Sequence, residues 1–130
     1  MIDKIPLQIV VTSYDGRILS ANPQVLIDHQ LSEEEMGQYN IMEFYENEHD
    51  RNSIIEEISA RGMVEQKIVS MRGVNNNIKN MMLSITPIVY RNTPALLSIA
   101  VDMTERLEFE AALEKVTFFA IPTIIELCIF

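Results

Sequence analysis

The sequence predicts an α+β fold: a five-stranded antiparallel sheet with short helices on one face and an exit helix at its end. Three observations predict it. Two β-prone runs meet at Asp15-Gly16, several short capped helical segments follow, and three longer β-prone runs come after residue 62. The chain has 130 residues, 48% of them hydrophobic, which suits one compact domain with a real core.

Residues 8–13 (QIVVTS) form the first β-prone run and end at Tyr14-Asp15-Gly16. Asp-Gly is the strongest short hairpin signal, so residues 17–21 (RILSA) read as the returning strand. Asn22-Pro23 then opens a helix, because Asn is a favoured N-cap and Pro suits the first helical position. Val25, Leu26 and His29 give that helix a partly apolar face.

Ser32 and Glu35 have capping-box spacing and start a second short helix, which Gly37 ends. Residues 40–45 (NIMEFY) read as a third helical turn. Asp50 or Asn52 is expected to cap a fourth helix over 53–60, with Ile54, Ile55 and Ile58 inward and Gly62 as its C-cap.

Residues 63–71 and 78–90 read as strands around an evident turn, Arg72-Gly73-Val74-Asn75-Asn76-Asn77. Residues 91–94 are a second turn, and 95–102 the last strand. Residues 104–118 read as a helix capped by Thr104, with Phe109, Ala112, Val116 and Phe119 at three- and four-residue steps.

The formal charge is −9, from 19 acids and 10 bases. Ten of the acids and one base, Arg51, lie between Asp28 and Glu57, so this segment carries the whole net charge. An acidic chain lacks the basic footprint that nucleic acid or an anionic membrane surface requires. The acids read as solvated helix faces, since Glu33, Glu34 and Glu35 are consecutive and fan around a helix. A calcium loop would need spaced oxygens and a glycine turn.

A single cysteine, Cys128, excludes an internal disulfide framework and points to a reducing, cytoplasmic location. Neither a signal peptide nor a membrane span is read. Two histidines, one distal cysteine and four unclustered glycines leave no material for a nucleophile–base pair or a phosphate loop, so an enzyme is not expected.

The stretches VVTSYDGRILSANP (10–23), LSEEEMGQ (31–38), HDR (49–51), MRGVNNN (71–77), LSITPI (83–88) and AVDMTER (100–106) together resemble a PAS domain. This is a family of sensor and interaction modules in signalling proteins. The resemblance runs from about residue 5 to 113. It implies a sensor domain over 1–103, an exit helix over 104–118 and an apolar tail over 119–130 that could begin a further domain. Ser13 stands where the family usually has an acid, and Gly73-Val74-Asn75 replaces its late Asp-Gly turn.

The resemblance also implies a cavity between sheet and helices. Strand alternation puts Met81, Leu83 and Ile85 on one face and Asn80, Ser84 and Thr86 on the other. By the family's register Val69, Met71, Leu96, Ser98 and Ala100 join the cavity face. Phe44, Ile54, Ile55 and Ile58 would close it from the helical side, with Thr12, Asn40 and Ser98 as polar contacts.

The flavin photoreceptors of the family need a cysteine near residues 40–44, which is absent here. Haem needs an axial His or Met; His49 reads as exposed, His29 as partly buried and the eight methionines as core filler, so haem is disfavoured.

Leu97, Ile99 and Val101 make the second face of the last strand apolar, so something must cover it: residues 2–7, the exit helix or a second subunit. The resemblance points to a homodimer, with Phe109 and Val116 adding to its interface. The expectation is therefore a sensory module that binds a small ligand non-covalently and signals through the exit helix to a downstream domain or partner. The alternative is a ligand-free module that only dimerises or docks a partner.

Overall fold

The computed structural model describes residues 7–119, with backbone only for 114–119. The order is β1 (Gln8–Thr12), β2 (Ile18–Ala21), α1 (Pro23–His29), α2 (Glu33–Met36), a 3-10 turn (Ile41–Phe44), α3 (Glu48–Arg61), β3 (Val64–Arg72), β4 (Ile78–Tyr90), β5 (Thr93–Asp102) and α4 (Thr104–Phe119). The strands form one sheet in the order β2-β1-β5-β4-β3, every pair antiparallel. The expected five-stranded α+β architecture is therefore present.

Local chemistry fixes the connections. Gly16 takes a φ of +95° in the first turn, where the Gly16 N–H donates to the Ser13 carbonyl at 3.0 Å. The Asn22 side chain caps α1 by accepting from the Val25 N–H at 3.2 Å. Ser32 and Glu35 form the reciprocal capping box on α2. Gly62 ends α3 at a left-handed φ of +87°.

Most boundaries agree with the sequence reading to within a residue, and three features differ more. Helix α3 starts at Glu48, capped by Asn47, whose side chain accepts from the His49 N–H at 3.0 Å; neither Asp50 nor Asn52 caps it. The turn between β4 and β5 is only Arg91-Asn92, both at positive φ, so Thr93 and Pro94 belong to β5. Thr104 is the first residue of α4, not its cap. Its N–H donates to the Asp102 carboxylate at 2.9 Å, and its hydroxyl accepts from the Asn80 N–H at 2.9 Å.

Pro87 sits inside β4 without breaking the sheet. Strand β3 pairs only with residues Ile78 to Ile85, so Pro87 lies where β4 has β5 as its neighbour and no strand on the other side.

The buried side chains form two clusters on the helical face of the sheet. One joins Ile54 and Ile58 of α3 to Val64, Val69, Met81, Leu83, Ile85, Leu96 and Ala100. The other joins Ile18, Val25, Met36 and Phe44. Ile41 and Met71 pack against both, at the seam between them.

Candidate functional site

A cavity of about 100 Å³ opens at that seam. Sheet residues Val10, Ile18, Met71, Met81, Leu83, Ser98 and Ala100 form its floor, and Val25, Met36, Ile41, Phe44 and Tyr45 its helical wall. The register explains the floor: Val10 pairs with Ser98, and Leu83 with Ala100, so these side chains share one face across three strands. Besides Ser98 and Tyr45, the cavity's polar residues are Gln8, Asp28, His29, Arg72, Asn75, Asn77 and Lys79.

Gly73 brings the β3–β4 turn close to α1. A Cβ built there would stand 3.2 Å from the Asn75 side-chain oxygen and 3.8 Å from His29 Nδ1. The turn is closed by the Gly73 N–H donating to the Asn77 carbonyl at 2.9 Å. His29 ends α1 half-buried, its imidazole edge-on to the Phe44 ring at 5.0 Å. Burial lowers its pKa; the Asp28 charge opposes that shift and the Lys79 charge adds to it. The Asp28 carboxylate accepts from Gln8 Nε2 at 2.7 Å and from Gln24 Nε2 at 2.8 Å.

The sequence-expected residues divide between cavity and solid core. Phe44, Met71, Met81, Leu83, Ser98 and Ala100 line the cavity. Ile54, Ile58, Val69, Ile85 and Leu96 do not; they interlock in the larger cluster, with Ile54, Ile85 and Leu96 at 0% exposure. Thr12 is fully buried off the wall, its hydroxyl without a hydrogen-bond partner among the described residues. Asn40 serves structure: its oxygen caps the 3-10 turn at the Met42 N–H, 2.9 Å, and its amide donates to the Asp15 carbonyl at 3.1 Å.

Sequence reasoning missed the contribution of α1 and the β3–β4 turn to the wall. It also missed Arg51, which is buried at 2% exposure. Neither terminal nitrogen of Arg51 has a hydrogen-bond partner, and it makes no ion pair, among the described residues. Arg51 is not on the cavity wall. Burial pushes the Tyr45 hydroxyl pKa up, opposed by the Arg51 charge and by a close Arg51–Tyr45 side-chain contact too poorly aligned to count as a hydrogen bond, while the Asp50 charge adds to the rise.

On the opposite face of β5, Leu97, Ile99 and Val101 are half-buried, and Phe109 on α4 is 68% exposed. The Val116 side chain and the tail beyond residue 119, with Cys128, lie outside the described residues, as do residues 1–6.

A family model described as PAS domain matches residues 6–105. The chain belongs to the PAS domain family. PAS domains are sensory modules typical of signalling proteins, and the sheet and helices described above are the PAS fold. The PAS domain of a Colwellia psychrerythraea protein is similar over 79% of this chain and 91% of its own, with 21% identity and a TM-score of 0.68. The PAS domain of a Desulfitobacterium hafniense protein is similar over 78% and 97%, with 18% identity and a TM-score of 0.63. A PAS domain from a two-component sensor histidine kinase is similar over 78% and 88%, with 14% identity and a TM-score of 0.63. Comparison with the curated proteins finds no match.

Among the described residues, no group of three or more His, Cys, Asp or Glu side chains is placed to hold a metal ion. Among the same residues no helix is long and apolar enough to cross a membrane.

Proposed function

We propose that this PAS domain is a cytoplasmic sensory module that binds a small ligand non-covalently in the seam cavity and passes occupancy to α4. The observation that carries the reading is the cavity itself, apolar along its floor and wall and polar through the α1 end and the β3–β4 turn. Its volume of about 100 Å³ lies below the ~300–1,000 Å³ of pockets that take drug-sized ligands. A compact molecule of a few heavy atoms suits it, not a macrocycle.

The route to α4 is short. Lys79 and Met81 of β4 line the cavity, and Asn80 between them holds the start of α4. The Asn80 N–H donates to the Thr104 hydroxyl at 2.9 Å, and its carbonyl accepts from the Met103 N–H at 2.7 Å. An occupant that moves this part of β4 moves both bonds. Output then belongs to a downstream domain or a partner, with a second copy packed on the Leu97–Ile99–Val101 face and along Phe109 and Val116 as the dimer.

Native mass spectrometry of freshly purified protein, repeated after denaturation, tests ligand binding together with an amide chemical-shift screen of compounds of about ten heavy atoms or fewer. The reading expects either an added mass that leaves on denaturation or shifts centred on Met71, Met81, Leu83 and Ala100. Bare protein with no such shifts would favour the second reading, a ligand-free docking module. The apolar outer face of β5 and the exposed Phe109 support that alternative.

A further inference from the structure

The charges around the cavity run against those of the chain. The protein is −9 overall, yet Arg72 and Lys79 line the cavity and Asp28 is the one acid among its lining residues. Both Asp28 oxygens are already engaged by the Gln8 and Gln24 amides. Arg72 makes no ion pair among the described residues. Lys79 stands 3.4 Å from Asp102, with side chains 47% and 35% exposed. Such a solvated pair contributes little and exchanges readily for another anion.

We infer that the cavity selects a small amphiphilic carboxylate, its head near Lys79 and the Asn75 and Asn77 side chains and its hydrocarbon part against Val25, Met36, Phe44 and Leu83. The inference rests on reading the cavity as a ligand site. A carboxylate gains charge-assisted hydrogen bonds from guanidinium and ammonium groups. A neutral amide of the same shape gains only ordinary ones, and an ammonium group meets repulsion from Lys79. The Asn75 and Asn77 side chains on the wall offer further neutral donors.

The test compares isovalerate, isovaleramide and isoamylamine by amide chemical-shift titration at low ionic strength. The first two share shape and heavy-atom count. The expected result is that isovalerate binds at least about tenfold more tightly than isovaleramide, and that isoamylamine does not bind. Lys79→Met should weaken isovalerate several-fold and isovaleramide by distinctly less. Asp28→Asn should tighten isovalerate.

Amide or amine binding in the cavity as tightly as the acid would overturn the inference while leaving the ligand-site reading intact. Isovalerate binding unchanged in Lys79→Met would overturn it too. If none of the three shifts any cavity-lining resonance, the ligand-site reading itself fails and the inference falls with it.

Discussion

The imidazole of His29 meets the ring of Phe44 edge-on, with centroids 5.0 Å apart and planes at 61°. This contact joins the end of α1 to the 3-10 turn across the cavity wall. The same imidazole faces the Gly73 turn, with Asp28 beside it and Arg72 and Lys79 sharing the cavity wall. A titratable ring is thus wedged between an aromatic wall and a tight loop.

Burial lowers the His29 pKa from its ordinary 6.5, so between the folded value and 6.5 the unfolded chain binds more protons at this position. Stability from this group is fully present above 6.5 and is lost as pH falls from there toward the folded value. Urea unfolding across pH 5 to 8 should show this acid-side loss, and His29→Asn should flatten it. A native profile no steeper than that of His29→Asn would contradict the assignment.

Gly16 is a strong test of the first turn. Its φ is +95°, and a Cβ there would collide with the Asn40 side chain that caps the 3-10 turn. Gly16→Ala therefore strains the backbone and displaces a cap. Together these should cost roughly 2–4 kcal/mol in chemical denaturation.

Arg51 is costly where it stands. A buried guanidinium with unpartnered terminal nitrogens opposes folding, and apolar groups of similar volume often improve on buried charges. Arg51→Met should raise the unfolding free energy by about 1–3 kcal/mol. A strongly destabilised Arg51→Met would show that the charge has a partner essential to the fold.

Ala100 lies in the larger core cluster and also lines the cavity. Ala100→Leu should fill free volume at a stability change within about 2 kcal/mol of zero and abolish small-ligand binding. By contrast Ile85→Ala, at a fully buried position off the cavity, should cost about 2–5 kcal/mol. Calorimetry with isovalerate titration separates the two effects.

Much of the sheet was legible because its signals are local. Alternation in β4 put Met81, Leu83 and Ile85 inward, and all three are buried. Asp15-Gly16, Asn22-Pro23 and Ser32…Glu35 carry their turn and cap chemistry in the residues themselves.

The start of α3 was not legible, because its first turns hold Glu48, His49, Asp50 and Arg51 and bury the arginine. No apolar period announces a helix whose first inward residue is charged. The division between cavity and core was also hidden. Alternation says which face a residue is on, but not whether the space beyond it is filled. That depends on α1 and the Gly73 turn approaching across the sheet, a long-range closure with no spacing signal of its own.

The most direct test of the account is amide hydrogen exchange at Met103 and Leu107, the start of α4, with the cavity empty and saturated with isovalerate. Asn80 links the two through its bonds to Thr104 and Met103. The account predicts that saturation changes protection at Met103 and Leu107, and that Thr104→Val, which removes one of the two Asn80 bonds, weakens the response. Identical α4 exchange in empty and saturated protein would contradict signalling from the cavity to the exit helix.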